Sequence, residues 1–147
     1  EQLREQFGIY DYHLLFKNAV HTCLKNGFAD FVYANNTLHC LETRDRVVAV
    51  LQEGSRILKN GGVFFGRTLM DKIDREKLEA ISNPKNEDQE FALKTVNALQ
   101  EGILLGMAEA ELKKLAQKVG FQSVYSEPKP VTWKPTYDFY FKFEKQL

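Results

Sequence analysis

The strongest constraint on the fold is a strand–helix–strand pattern between residues 30 and 66. Residues 30–34 (DFVYA) are nearly all apolar, as in a buried strand. From Thr43, a favourable helix N-cap, small or apolar residues recur at helical spacing, at Val47, Val50, Leu51, Gly54, Ile57 and Leu58. Asn60–Gly61–Gly62 predicts the end of this helix, and residues 63–66 (VFFG) form a second apolar strand. Two buried strands joined by a helix form a βαβ unit, so the predicted class is α/β with parallel strands.

Polar side chains follow the first of these strands at once, at Asn35, Asn36, Thr37 and His39. Open α/β sheets bind ligands beyond the carboxyl ends of their strands, so these side chains are candidates for the lining of a cleft. Asparagine also caps turns, and the same residues could simply lead the chain into the helix that begins after Thr43. The residues alone favour the cleft only slightly.

Three more helices are predicted downstream, at Asp71–Ile81, Glu87–Gln100 and Ala108–Val119. An apolar segment flanked by glycines, Gly102–Met107, lies between the last two. Residues 71–107 are longer than an ordinary connection, so we treat them as an insertion within a single domain that spans residues 1–147.

Three further strands complete the predicted pattern. His13–Val20 contains a short apolar run, and Gln122–Ser126 follows the last helix. Residues 137–143 alternate aromatic with mostly polar residues, which is typical of a strand at an antiparallel edge or packed on one face. A proline-rich stretch around Trp133 predicts a stiff loop before this strand.

Composition excludes several classes of protein. The chain has 20 Lys plus Arg and 20 Asp plus Glu, a formal net charge of zero, which argues against a nucleic-acid-binding protein. No apolar run approaches the ~20 residues that span a bilayer, and the charged start, EQLREQFG, does not resemble a signal peptide. Cys23 and Cys40 favour a reduced, cytoplasmic protein with both thiols buried. The first residue, Glu1, favours a fragment or processed chain.

Four segments in this order resemble the C-terminal half of class I S-adenosylmethionine-dependent methyltransferases. They are DFVYANNTLHCLE at 30–42, VLQEGSRILKNGGVFFGRT at 50–68, ELKKLAQKVGFQSV at 111–124 and YDFYFKFEK at 137–145. The resemblance implies a Rossmann-like sheet, mostly parallel with an antiparallel last strand and truncated at its N-terminal side. It also implies S-adenosylmethionine as the cofactor.

The same resemblance assigns candidate cofactor residues and exposes two departures. Asn18 and Ala19, which follow the apolar run that begins at His13, match the position near the adenine, and Asn35 and Asn36 match the cleft wall. The family commonly has Asp where Asn18 stands, although an amide oxygen can also accept a hydrogen bond. The family's glycine-rich loop is missing, because Gly-x-Gly occurs nowhere in the chain.

On the acceptor side, the resemblance makes His39 the candidate catalytic base, with a histidine packed under its loop as an equal alternative. Arg67 and Thr68 end the second strand and are candidate substrate contacts, although a structural ion pair is as reasonable for Arg67. Leu105 and Met107 could form an apolar wall over a substrate, with ordinary core as the favoured alternative. No His, Cys, Asp or Glu cluster has the spacing of metal ligands, so we expect no metal.

Two classes of function remain open. The first is methyl transfer from S-adenosylmethionine to a small-molecule acceptor. The second is a non-catalytic methyltransferase-like module that binds a partner, or a second copy of itself, at a sheet edge left exposed. A different small-molecule reaction on the same fold is a weaker third possibility.

Overall fold

The computed structural model describes residues 18–147, and all structural statements below concern these residues. The strands are β1 (Ala29–Asn35), β2 (Leu58–Ile73), β3 (Phe121–Pro130) and β4 (Thr136–Lys145). The helices are α1 (Arg44–Ile57), α2 (Arg75–Ala80), α3 (Glu87–Gln100) and α4 (Glu109–Lys118), with a 3-10 turn at Leu38–Cys40. None of the helices is long and apolar enough to cross a membrane.

The four strands form one mixed sheet in the order β1-β2-β4-β3. β1 pairs with β2 in parallel, and β4 pairs antiparallel with both β2 and β3. β1, β2 and β3 therefore run in one direction and only β4 opposes them. This confirms the predicted α/β class, the mostly parallel sheet and the antiparallel last strand. β4 lies inside the sheet with Phe139, Phe141 and Phe143 buried, so of the two alternatives for its alternating pattern the structure agrees with packing on one face and not with an edge position.

Helix α1 begins where the sequence predicts, because the Thr43 side chain accepts a hydrogen bond from the Arg46 amide at 3.3 Å. It ends at Ile57, earlier than predicted, and Asn60–Gly62 belong to β2 instead. Ala29 pairs with Leu58 and Phe31 with Val63, so β2 bulges between these two pairs. The glycines therefore shape an irregular strand and do not cap the helix.

The insertion is only partly as predicted. α3 covers the predicted residues Glu87–Gln100, and the Asn86 side chain caps it by accepting from the Gln89 amide at 2.9 Å. The helix predicted for Asp71–Ile81 is shorter, because β2 extends to Ile73 and Asp74 caps the helix that follows. Tertiary pairing of β2 with β4 overrides the local helical pattern there.

The hydrophobic core lies between the sheet and two helices. α1 packs on β2, α4 packs on β3, and the two helices contact each other. The sheet contributes a row of fully buried aromatic side chains to this core, at Phe64, Phe121, Phe139, Phe141 and Phe143. The opposite face is open at β1, where Phe31 is 66% and Tyr33 is 58% exposed. β1 is therefore buried on one face only, and the expectation of a fully buried strand is wrong.

Two other expectations concern the start of the chain. The strand predicted at His13–Val20 lies largely outside the described residues, and Asn18–His21 form a turn closed by an isolated bridge. Cys23 and Cys40 are both exposed and unpaired, so the prediction of buried thiols is wrong. Cys23 lies before β1, and Cys40 is the last residue of the 3-10 turn that follows it.

Candidate active site

A cleft of about 660 Å³ lies at the edge of the sheet where β1 and β3 end, beside Arg67 and Leu69 of β2. We call it the carboxyl-edge cleft. The loop after β1 contributes Asn36, His39 and Cys40 to its wall, and β2 contributes Arg67, which pairs with Asn35 at the end of β1. Because β1 and β3 run in the same direction and finish at this edge, the loops that follow them converge there, as in other open α/β sheets.

The opposite wall of the cleft comes from regions distant in sequence. Helix α3 contributes Phe91 and Lys94, the loop after β3 contributes Trp133 and Lys134, and β4 contributes Asp138. None of these five residues was predicted as a site residue. Trp133 was noticed only as part of a stiff loop. Its position after a strand parallel to β1 and β2 is the signal that could have placed it at the ligand-binding edge.

His39 is held by the neighbouring strand through its Nδ1 atom. The Leu69 amide lies 3.2 Å from Nδ1, and the Thr68 hydroxyl lies 3.3 Å from it. A backbone N–H can only donate, so Nδ1 accepts and the ring proton of the neutral imidazole is on Nε2. Nε2 has no hydrogen-bond partner among the described residues and is not sealed from solvent. The histidine thus offers an N–H donor.

The electrostatic surroundings keep His39 neutral. Burial lowers its pKa below the ordinary value of 6.5, and the nearby carboxylate of Asp138 opposes this shift only partly. Protonation would also place a second N–H on Nδ1, facing the Leu69 amide donor. At neutral pH the side chain is therefore a neutral donor, not a cation.

Arg67, in β2, is anchored by residues from two other strands, β1 and β4. Its Nε donates to the Asn35 side chain at 2.7 Å, and an Nη lies 3.4 Å from the Tyr140 hydroxyl and 3.6 Å from the Asp138 carboxylate. The hydrogen bond to Tyr140 and the negative charges around it raise the pKa of Arg67 further. The pair of Arg67 and Asp138 is thus the structural ion pair that the sequence analysis gave as an alternative, although Arg67 still borders the cleft.

The structure places the other predicted site residues in three different surroundings. Thr68 is 1% exposed, so it contacts His39 and not the cleft. Met107 is buried in the core, and Leu105 packs against it, which fits the core alternative for this segment. Asn18 and Ala19 lie in an exposed turn, where the Asn18 side chain accepts from the Val20 amide at 3.0 Å. Neither residue lines the carboxyl-edge cleft.

Asn35 is the last residue of β1 and Asn36 follows it directly. Asn36 has a φ of +54° and lines the cleft, while the Asn35 side chain is engaged by Arg67. Neither side chain caps α1, since Thr43 does that. The candidate cofactor contacts Asn35 and Asn36 thus lie next to each other at the end of β1, and their assignment to a cofactor stays a prediction. Among residues 18–147, no cluster of His, Cys, Asp and Glu side chains is arranged to hold a metal ion.

A second concavity of about 720 Å³ lies on the open face of the sheet. Its lining is mainly aromatic and includes Phe31, Tyr33 and Phe65. The Tyr33 and Phe65 rings stack with their centroids 4.9 Å apart. This open aromatic face differs from the carboxyl-edge cleft because its lining holds no histidine and no carboxylate, and its charged side chains are Arg67 and Lys142.

Comparisons with known proteins agree with this architecture. The model of a methyltransferase domain family matches residues 3–66. No curated protein matches the chain. Together with the fold, the family match confirms the resemblance to class I S-adenosylmethionine-dependent methyltransferases and supports S-adenosylmethionine as the cofactor of such a domain.

Several solved structures share the fold at low sequence identity. A methyltransferase from Methanosarcina mazei gives a TM-score of 0.63 at 16% identity over 89% of this chain and 66% of that one. The 1,6-didemethyltoxoflavin-N1-methyltransferase of Burkholderia thailandensis, with S-adenosylhomocysteine bound, gives 0.59 at 17% over 87% and 48%. A geranyl diphosphate methyltransferase in complex with S-adenosylmethionine gives 0.64 at 14% over 98% and 62%. The chain thus spans about half to two thirds of the length of these proteins.

Proposed function

We propose that this protein transfers a methyl group from S-adenosylmethionine to a small-molecule acceptor held in the carboxyl-edge cleft. The observation that carries this proposal is the convergence of Asn36, His39 and Arg67 at the carboxyl end of β1, a parallel strand in a methyltransferase-type sheet. Two similar folds belong to enzymes whose names give small molecules as acceptors, geranyl diphosphate and 1,6-didemethyltoxoflavin.

The residues of this chain would act mainly by positioning the acceptor. S-adenosylmethionine supplies an electrophilic methyl group on a sulfonium, and displacement needs the acceptor atom in line with that bond. Asn35 and Asn36 would form the wall nearest the cofactor. The cleft, bounded by α3 and the loop of residues 131–135, would limit the orientations that an acceptor can adopt.

His39 has a more specific part in this proposal. As a general base it would need a lone pair directed at the acceptor, but the lone pair on Nδ1 is committed to the Leu69 amide. We therefore assign His39 to acceptor orientation, through a hydrogen bond donated by Nε2. An acceptor that reacts without losing a proton, or loses it after transfer, suits this arrangement.

Isothermal titration of the full chain with S-adenosylmethionine and S-adenosylhomocysteine tests the function. Saturable binding of either supports it. Absence of binding by a folded sample contradicts methyl transfer by this chain. His39→Gln should leave cofactor affinity within about twofold and lower turnover, because the residue is assigned to the acceptor and not to the cofactor.

Nitrogen NMR of His39 tests its assigned part. The Nε2–H tautomer should dominate at pH 7, and the pKa should lie below 6.5. Detection of the Nδ1–H tautomer would contradict donation from Nε2 and restore the general-base alternative.

The second candidate function is a methyltransferase-like binding module. The observation that favours it is the open aromatic face, where Phe31 and Tyr33 are exposed beside the unpaired edge of β1 within the described residues. Light scattering of the same sample distinguishes the two candidates. A stable dimer that binds no cofactor would favour the module, and a monomer that binds cofactor would favour the enzyme.

A further inference from the structure

The outer wall of the carboxyl-edge cleft combines aromatic surface with a fixed cation. The ammonium of Lys134 lies 4.5 Å from the ring centroid of Trp133 and 4.9 Å from that of Phe91. Both rings are more than half exposed, at 52% and 58%. A lysine between two aromatic rings is restrained by cation–π attraction, so its charge stays at the cleft wall.

The charges that line the cleft do not balance. The lining contains three permanent cations, Arg67, Lys94 and Lys134, and one carboxylate, Asp138. Asp138 lies 3.6 Å from Arg67, so this pair is internally compensated. Within residues 18–147, neither Lys94 nor Lys134 has a carboxylate within ion-pair distance. The lining of the cleft therefore carries an excess of positive charge, which comes from the two lysines.

A cationic ligand is disfavoured by the same geometry. Exposed aromatic rings such as Trp133 and Phe91 can hold quaternary ammonium groups, but here Lys134 already occupies the space beside both rings. A second cation would meet like charge. A flat ring carrying an anionic group would instead meet aromatic surface and two lysine ammonium groups.

We propose that the carboxyl-edge cleft binds a small aromatic anion, with its ring against Trp133 and its carboxylate or phosphate at Lys94 and Lys134. This assignment rests on the proposed function, because it names the class of methyl acceptor that the same cleft would hold. His39 faces this ligand from the loop after β1 and can donate to a ring substituent from Nε2.

The single tryptophan makes the test direct. Trp133 is the chain's one Trp, so its fluorescence reports on this cleft alone. The full chain would be titrated with 4-hydroxybenzoate, with phenyl phosphate and with the uncharged 4-hydroxybenzamide. We expect saturable quenching by at least one anion, at an affinity about tenfold or more above that of the amide. The comparison of the two anions distinguishes a carboxylate site from a phosphate site.

Charge-removing variants provide the matched control. Lys94→Gln and Lys134→Gln should each weaken anion binding by about threefold to tenfold, and the double variant by more. Lys114→Gln removes a charge from an exposed position of α4 outside the cleft and should leave the affinity unchanged. Circular dichroism of each variant shows whether it remains folded.

Two results would overturn the proposal. One is equal affinity for 4-hydroxybenzoate, phenyl phosphate and 4-hydroxybenzamide, or no saturable quenching by any of them. The other is an equal loss of affinity in the Lys114→Gln variant, which would show only a general effect of net charge.

Calorimetric titration with S-adenosylhomocysteine shows which proposal has failed, the aromatic-anion ligand or methyl transfer itself. Cofactor binding without selectivity for anions overturns the acceptor class alone. Selective anion binding without cofactor binding overturns methyl transfer and leaves an anion site.

Discussion

The two faces of the sheet carry similar aromatic side chains in very different surroundings. Phe64 and Phe65 are neighbours in β2, yet Phe64 is 1% exposed beneath α1 while Phe65 lines the open aromatic face. Alternate residues of a strand point to opposite faces, so adjacent phenylalanines are divided between them. Aromatic character alone therefore did not decide which of these side chains is buried. Burial depends on whether a helix packs over that face of the sheet.

The open aromatic face has the aromatic composition of a hydrophobic core, but its side chains at β1 are exposed to solvent. Exposed contiguous aromatic surface of this kind usually marks an interface. In the solved structures that share the fold, one third to one half of the chain has no counterpart here. Substitutions on the two faces should therefore have unequal effects on this chain, and four experiments measure the difference.

The largest effect is expected for Phe64→Ala on the covered face. Removing this buried ring, which packs against Phe121 and Phe141, should lower the free energy of unfolding by about 3–5 kcal/mol. Urea denaturation followed by circular dichroism measures the loss. If the alanine variant does not fold, Phe64→Leu should still unfold cooperatively with a loss of about 1–2 kcal/mol. If both variants lost less than about 1 kcal/mol, the result would contradict tight packing on the covered face.

The second experiment measures how much the buried carboxylate of Glu53 in α1 contributes to stability. Glu53 in α1 accepts hydrogen bonds from Arg56 at 2.7 and 2.8 Å and from the Thr22 amide at 2.8 Å. The hydrogen bonds from Arg56, followed by those from Thr22, hold the pKa of Glu53 far below its ordinary value of 4.5. Its stabilising contribution is thus present above about pH 4.5 and is lost as the pH falls toward the folded-state pKa.

Glu53→Gln should cost about 1–3 kcal/mol at pH 7. The difference from the parent should shrink as the pH falls below 4.5. Urea unfolding at pH 7 and pH 3.5 measures both values. Glu87→Gln, on the exposed first turn of α3, is the control. A difference that stays constant with pH would contradict the linkage.

The third experiment is the counterpart of the first on the open face. Phe65→Ala should cost less than about 1 kcal/mol, because its ring contacts mainly Tyr33 and Phe31 across the exposed surface. The same urea protocol applies. A cost equal to that of Phe64→Ala would show that this face is covered in solution, by a second copy or by another part of the chain.

The smallest change in stability is expected for the double variant Phe31→Ser and Tyr33→Ser. Its free energy of unfolding should stay within about 0.5 kcal/mol of the parent, since both side chains are exposed. Binding of a hydrophobic dye should fall markedly, and any self-association should weaken. Unchanged dye binding would locate the exposed apolar surface elsewhere.

Local patterns explain what the sequence predicted well. Helical spacing and a capping residue define α1 from Thr43, and the bounds of α3 follow from Asn86 and its acidic first turn. Strand length was harder to predict. β2 extends to Ile73 because it pairs with β4, some 65 residues later in the chain, and that pairing leaves no local trace in residues 68–73.

The residues of the candidate site also fall into those that local sequence predicts and those that it does not. His39 and the two asparagines were predicted from their position after a strand, which is local information. Lys94, Trp133 and Asp138 were missed, because α3 and the loop after β3 reach the cleft only through the order of the strands. Thr68 was predicted to contact substrate, but the alternation of β2 directs it into the interior, against His39.

The sequence by itself determined the βαβ unit, the α/β class and the polar residues at the end of β1. These depend on the spacing of neighbouring residues, which the chain carries whatever its surroundings. Tertiary structure decided which loops meet at the cleft, which face of the sheet is covered and which nitrogen of His39 carries its proton. Each of these depends on groups distant in sequence, such as the Leu69 amide 30 residues from His39. Contacts of this kind exist only once the strands have paired.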